Sequence, residues 1–350
     1  MKNIHIGNIE IGGDNPCFII AELSANHGKD INIAIETIRA AKKTGADAIK
    51  LQTFTPDTIT LDAKNEAFLI NHGTQWDGKY LHELYNETYL PWEWHERLFK
   101  VAKEEGLVCF SSPFDLTAVD FLETLNTPAY KIASPEILDI PLIEKCAKTG
   151  KPIIISTGIA TIADIDLAIN TCRNVGNNQI VLLKCTTSYP APIEDANLKT
   201  INNFAETFHV IPGLSDHTLG TIAPTVSVAL GAKVIEKHFI LDKSVGGADA
   251  AFSLDVEEFS QMVKSVRDAE KAIGQVSYNI GSKATNLSKL ASRSLFITKD
   301  VKKGDLITEE NIRSVRPGNG IHPKHYKEIL GKKFAKDASF ATPLDFTHIK

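Results

Sequence analysis

The stretch KTGADAIKLQ, residues 43–52, decides the fold. A helix running into it can stop on Gly45, which tolerates the left-handed conformation of a helix cap. A short apolar run follows and leaves through Lys50 and Gln52, which share one face because side chains alternate along a strand. The same plan recurs in EEGLVCFSS (104–112), KTGKPIIIST (148–157) and ALGAKVIEKH (229–238), where Gly106, Gly150 and Gly231 take the place of Gly45. This is a βα repeat. Outward from these segments, strands are predicted near residues 17–23, 46–52, 107–112, 129–133, 152–157, 180–187, 210–216 and 233–239. Between the first two, Asp30 is a plausible N-cap, and Ile31, Ile35, Ile38 and Ala41 form an apolar stripe at helical spacing. Mostly apolar strands without strict alternation are covered by helices on their outer face. Eight parallel βα units predict an α/β fold closed as a (β/α)8 TIM barrel. An open doubly wound sheet is the alternative, and no GxGxxG opens the first unit to support it.

The chain has 350 residues, more than the roughly 250 of a typical barrel, which leaves room for a second, small domain. Hydrophobic residues make up 43% and charged residues 23%, an ordinary globular composition that argues against disorder. With 38 basic and 43 acidic residues and no long basic run, nucleic acid is a poor partner, and an anionic substrate has to be met by locally placed cations. The five cysteines show no CxxC pair and read as reduced core residues. No signal-peptide pattern opens the chain and no stretch reaches the ~18 apolar residues of a membrane span, so the expected location is the cytoplasm, away from any membrane.

Two segments depart from the repeat. Residues 54–94 make a long excursion after the second strand and hold all three tryptophans, Trp76, Trp92 and Trp94, with Tyr80, Tyr85 and Tyr89. The excursion leaves from the end of the barrel where such enzymes build their sites, so it reads either as a substrate lid or as an aromatic-anchored surface helix or subunit contact. After Gly274 the pattern changes. Residues 1–275 are the expected barrel, 276–291 a polar linker and 292–350 a compact module with short strands, a KKGD turn and a short helix capped by Thr308.

Strand alternation also selects the side chains that meet in the barrel mouth: Lys50 with Gln52, Ser215 with His217, and Glu236 with His238. A single buried histidine is usually a hydrogen-bonded core residue. Two at the ends of consecutive strands, with Asp249 nearby, can instead hold a divalent ion and leave positions open for water and substrate. Glu22, at the end of the first strand, can orient or deprotonate a water, or can cap a loop in a salt bridge. Lys131 on the fourth strand joins Lys50, and two such cations repel unless an anion sits between them. Hydroxyls at Ser112, Ser134, Ser156, Thr187 and Ser215 complete a phosphate or carboxylate cradle, although each alone is an ordinary turn residue.

IAELSANHG (20–28), DAIKLQT (47–53), SSPFD (111–115), YKIAS (130–134), STGIA (156–160), GLSDH (213–217) and EKHFILD (236–242) together resemble the sialic acid synthase family, and the tail from Ser292 through VRPGNGIHP (315–323) resembles its antifreeze-like (SAF) domain. That resemblance implies condensation of phosphoenolpyruvate with an amino-sugar aldehyde and water, giving a nonulosonic acid and phosphate. It implies His217 and His238 as ligands of Mn2+ or Mg2+, Asp249 beside the metal-bound water, and Glu22 as the acid/base. Lys50, Ser112 and Lys131 become contacts to the phosphoenolpyruvate carboxylate and stabilisers of charge. Ser134, Ser156 and Ser215 become phosphate contacts. Gln52 and Glu136 hold the open-chain sugar, and Thr187 and Tyr189 are further substrate contacts. Arg316 matches an arginine that enters the site from a second subunit, which implies a domain-swapped homodimer.

Within that family the insertion GTQWDGKYLHELYNETYLPWEWH (73–95) resembles the pseudaminic acid branch more than the neuraminate branch, which implies 2,4-diacetamido-2,4,6-trideoxy-L-altrose as the sugar. An N-acetylneuraminate or legionaminate synthase is the alternative enzyme. A catalytically dead sugar-binding scaffold is the alternative from another class, and the retained Glu22, Lys131, His217 and His238 argue against it.

Overall fold

Ahead of the repeat the chain forms a short antiparallel hairpin, β1 (Ile4–Ile6) and β2 (Ile9–Ile11), turned at Gly7 with a φ of 60°. Strands of three residues are too short to declare themselves by periodicity, and the sequence pattern does not predict them. The structure, a computed structural model, describes residues 2–71, 73, 76–279 and 282–350, without the side chains of 282–286. The repeat supplies β3 (Phe18–Glu22), β4 (Ala48–Thr53), β5 (Val108–Pro113), β6 (Tyr130–Ile132), β7 (Ile153–Ser156), β8 (Ile180–Cys185), β9 (Ile211–Asp216) and β10 (Val234–His238). These eight strands are parallel, follow chain order around the sheet, and close where β10 pairs with β3. Every one of them falls where the sequence predicts a strand.

Alternation fills the barrel in layers. Phe18, Ile20, Val108, Phe110, Ile154, Val181, Leu183 and Val234 point inward and pack against Ile4, Ile6 and Ile11 of the hairpin, which plugs the N-terminal end. Gly213 closes this layer by having no side chain: a Cβ there would come within 2.4 Å of the Val234 carbonyl and 2.5 Å of Leu183 Cδ2. The apolar filling therefore occupies one end, and the next inward position on each strand is left for polar groups at the other.

The outward side chains, including Ile19, Ile49, Leu51 and Ile235, bury against the helices. In the first helix, Ile31–Lys43, Asp30 accepts the Asn32 N–H at 2.8 Å, and Ile35, Ile38 and Ala41 face the sheet as their spacing predicts. Each such aliphatic side chain contributes about 1.5–3 kcal/mol when fully buried. Gly45 takes a φ of 88° and Gly231 one of 94°, the left-handed caps expected of them. The five cysteines are free and buried, and Cys185 also lines the cavity at the barrel mouth. No helix among the described residues is long and apolar enough to cross a membrane.

The chain divides into two compact units, Met1–Gly274 and Gln275–Lys350. In the second, β11 (Ser294–Ile297) and β12 (Ile312–Val315) pair antiparallel over a core that includes Leu295, Ile297, Ile307, Phe334 and Leu344. The KKGD turn forms, with Lys302 N–H held by Asp305 at 2.8 Å. Two expectations change. The stretch read as a linker contains a helix, Ser282–Ala291, with Ile280 and Gly281 lying outside the described residues. Thr308 caps no helix: only three residues separate it from β12, and Asn311 closes them into a turn by accepting the Thr308 N–H at 2.8 Å. The short helix of this unit lies instead at Tyr326–Ile329.

Candidate active site

At the C-terminal end of the barrel the inward polar positions converge on a cavity of about 510 Å3, bordered by side chains from both the strands and the 54–94 excursion. Its floor is a run of alternating charges. Lys50 Nζ lies 3.0 Å from Glu22 and 3.4 Å from Glu236, and Lys131 Nζ lies 3.7 Å from Glu236. All four side chains are 5% exposed or less. Ser215 donates to Glu236 at 3.0 Å, Lys50 to Ser112 at 3.3 Å, and Gln52 to Glu22 and to Ser24 at 3.0 Å each. The anion that reconciles the two lysines is thus a carboxylate of the protein itself, Glu236, and no ligand is needed to explain their approach. Sequence alternation places Glu236 on the correct face, but its position between two cations from distant strands exists only once the barrel closes.

Burial sets the protonation of this group. It raises the pKa of Glu22 to about 7, against the pull of Lys50, whereas Lys131 and Lys50 overcome burial at Glu236 and hold it ionised below its ordinary value. Burial lowers Lys131, only partly offset by Glu236.

Beside the charged floor is a set of hydroxyls. The Gly158 N–H donates to Ser134 Oγ at 3.0 Å, while Ser156 Oγ and Thr187 Oγ1 are buried without a hydrogen-bond partner. Leaving such groups unpaired is costly, which suits a place where ligand oxygens arrive. Gly158 keeps the space open. A Cβ there would fall 1.9 Å from Thr187 Oγ1 and 2.8 Å from Ser134 Oγ.

The two histidines meet as their spacing predicts, with ring centroids 5.2 Å apart. Nδ1 of His217 lies 2.9 Å from the Thr186 carbonyl, which can only accept, so that nitrogen carries the hydrogen and Nε2 is left as a donor of electrons. Nδ1 of His238 is buried without a hydrogen-bond partner and sits 3.8 Å from Asp249 Oδ2. Burial and the neighbouring cations hold His238 neutral. Asp249 accepts from Ser24. Tyr189 packs on His217 at 4.5 Å and Phe252 on His238 at 4.9 Å, walling the pair with aromatic rings. Among the described residues no group of three or more His, Cys, Asp and Glu side chains is drawn together tightly enough to enclose an ion by itself. Two imidazoles at consecutive strand ends beside a carboxylate, His238 Nδ1 without a hydrogen-bond partner, fit an open site for a divalent cation, in which other positions fall to water and substrate.

The long excursion divides between the two readings made of it. Trp92 stacks on Phe121 at 4.7 Å and donates to the Phe54 carbonyl, and Trp94 meets His27 edge-on at 6.0 Å, so these anchor the segment. Trp76, Leu81, Leu84 and Tyr85 instead border the cavity and give it an apolar wall opposite the charged floor. Thr74 and Gln75 of the insertion lie outside the described residues.

Glu136, on the short helical turn Pro135–Leu138, also borders the cavity, with Oε2 buried and unpartnered. Burial raises its pKa from 4.5 to about 7. The folded protein therefore holds this proton more tightly than the unfolded chain, and ionisation destabilises the fold as pH rises through that window. Glu136→Gln is expected to melt at a higher temperature than the parent near about pH 8, with the difference shrinking below about pH 7 and vanishing toward about pH 4; thermal melts at the two extremes check the sign. Arg316 is exposed in the second unit, directly after β12. Ser24, Cys185 and Glu236 line the cavity and Phe252 packs on His238, although the sequence pattern assigns none of them a role; Ser24 and Phe252 lie in loops, which periodicity does not reach.

These features define a (β/α)8 barrel with a buried, charged cavity at the C-terminal strand ends, where enzymes of the barrel class build their active sites. The chain belongs to the NeuB family, which matches residues 37–278, and a SAF domain matches residues 292–350. It is 49% identical to a pseudaminic acid synthase of Helicobacter pylori, over 96% of this chain and 98% of that one. It is 48% identical to a pseudaminic acid synthase of Campylobacter jejuni, over 97% and 98%. Among solved structures, an N-acetylneuraminic acid synthetase from Leptospira borgpetersenii, in complex with citrate, superposes with a TM-score of 0.72 at 30% identity, covering 82% of this chain and 95% of that one.

Proposed function

We propose that this protein is a pseudaminic acid synthase, condensing phosphoenolpyruvate with 2,4-diacetamido-2,4,6-trideoxy-L-altrose and water to give pseudaminate and phosphate. Likeness to pseudaminic acid synthases along nearly the whole chain is the observation that carries this reading. The cavity agrees with it. A sugar that bears methyl and acetamido groups in place of hydroxyls suits a wall built from Trp76, Leu81, Leu84 and Tyr85.

Lys50, Lys131 and Ser112 hold the carboxylate end of phosphoenolpyruvate, and Ser134, Ser156, Thr187 and Ser215 receive its phosphate. Gln52, Glu136 and Tyr189 orient the open-chain sugar so that its aldehyde carbon faces C3 of the enol. Held by His217 and His238, with Asp249 alongside, Mn2+ or Mg2+ would polarise the aldehyde oxygen. The C3–aldehyde bond forms as the enol π electrons move to the aldehyde carbon, and the aldehyde oxygen takes the proton of the Glu22 carboxyl. Water adds at the cation-like C2, giving its proton to Glu22, which burial poises near neutrality. The C2–O bond to phosphate then breaks, and the departing phosphate takes the proton of the C2 hydroxyl as the ketone forms. The paired charges on the floor are fixed before substrate arrives, so little reorganisation is needed during the reaction. Arg316 completes the site of a second copy of the chain, a role supported by its place in the VRPGNGIHP motif and its exposure.

Phosphoenolpyruvate carrying 18O in the bridging position tests this chemistry. The expected result is labelled phosphate, released only when the sugar is present; unlabelled phosphate, or release indifferent to the sugar, overturns it. Gly158→Ala is expected to raise KM for phosphoenolpyruvate by roughly tenfold or more, because the new methyl must displace the hydroxyls of Thr187 and Ser134. Steady-state kinetics at saturating sugar measures this directly.

A further inference from the structure

On the outer side of the same two strands lies a charged pair that the mechanism does not use. Lys237 and Asp216 stand opposite each other in the β9–β10 register, one residue away from the inward-facing His238 and His217. Their side chains are 0% and 2% exposed. The Lys237 ammonium donates to Asp216 Oδ2 and to the Thr218 carbonyl, the latter at 2.5 Å. Asp216 in turn accepts the Thr218 N–H at 3.1 Å and its hydroxyl at 3.2 Å.

The position of this pair in the sheet matters. Lys237↔Asp216 is the last register pair between β9 and β10, so His217 lies one step beyond the ladder. His238 is still fixed from the other side, by its pairing with Glu22 on β3. His217 keeps one backbone tie, from the Ala191 N–H to its carbonyl at 2.9 Å, on the side away from β10. Toward β10, the Lys237 side chain replaces the missing ladder bonds. It holds both chain neighbours of His217, Asp216 and Thr218, while being itself the chain neighbour of His238. Burying two charges is costly, and well-packed apolar residues often stabilise a fold equally well, so stability alone is a poor reason for the pair.

We infer that Lys237 and Asp216 are positioning residues that fix the separation of the His217 and His238 rings for a divalent cation. The inference rests on the reading of those histidines as metal ligands. The double variant Asp216→Asn/Lys237→Met removes both charges, keeps a neutral acceptor for the Thr218 N–H, and preserves volume. Mn2+ alone is titrated into this variant, the parent and His217→Ala, following free ion by electron paramagnetic resonance, with thermal melting of each protein alongside. The double variant is expected to melt close to the parent yet bind Mn2+ roughly tenfold more weakly, the lower end of the effect of groups that orient metal ligands. A folded double variant with parental Mn2+ affinity overturns the positioning role. If the parent binds no more tightly than His217→Ala, the metal reading falls and the inference with it. Should the double variant not fold, Asp216→Asn/Lys237→Leu, equally neutral but differently shaped, decides: weakened Mn2+ binding supports the inference and unchanged binding defeats it.

Discussion

Lys131→Met is expected to lower kcat/KM for phosphoenolpyruvate by about a thousandfold, with most of the loss in KM. The methionine fills nearly the same volume, so the packing around β6 survives and the missing charge is what is tested. In the parent, Lys50 and Lys131 balance Glu22 and Glu236 within a few ångströms. Removing one cation leaves an excess carboxylate in a buried place that must accept a highly charged anion. Truncating one member of a buried, hydrogen-bonded charge pair at a binding site costs about 2–5 kcal/mol, and about 1.4 kcal/mol corresponds to a factor of ten. The further change Glu236→Gln restores neutrality. It should recover the melting temperature lost in the single variant without recovering turnover, because the cation that meets the substrate is still absent. Parallel recovery of both would mean that Lys131 only stabilises the fold.

His217→Ala and Arg316→Ala are each expected to be nearly inactive, the first by losing a metal ligand and the second by losing a charged substrate contact. Their mixture separates a site completed by a second copy from one completed within a chain. After subunits exchange, half of the dimers are mixed, and in each the intact barrel of one chain receives the intact arginine of the other. About a quarter of wild-type activity should return, since one site in two is whole in half of the dimers. An arginine acting within its own chain restores nothing, because each chain then carries its own defect. Size-exclusion chromatography with light scattering, run on the mixture before and after exchange, shows whether dimers form at all.

Much of this site is legible in the sequence because a parallel barrel translates chain order into position. Once eight strands are counted, alternation alone puts Lys50, Gln52, Ser215, His217, Glu236 and His238 on the inner face near one rim. What alternation does not supply is distance across the barrel. That is why the two lysines read as awaiting a ligand, when Glu236 already lies between them. Gly158 is similarly silent in the sequence, where glycine after a strand means only a turn; its importance comes from hydroxyls on two other strand ends crowding the space where a Cβ would be. The hairpin at Ile4–Ile11 and the helix at Ser282–Ala291 are missed for different reasons. The hairpin strands are too short for a period to show, and the helix carries only two large apolar residues, Leu287 and Leu290, too few for an apolar stripe to stand out. Thr308 reads as a cap in the sequence because capping residues and turn residues are the same types, and only the nearby start of β12 distinguishes them.

On the proposed function, the apolar wall and charged floor select which sugar the cavity accepts. Phosphate release from phosphoenolpyruvate, measured side by side with 2,4-diacetamido-2,4,6-trideoxy-L-altrose, the isomeric sugar used by legionaminate synthases, and N-acetylmannosamine, tests it most directly. Efficient release with the first sugar and little with the other two is expected; release with N-acetylmannosamine alone would contradict the assignment.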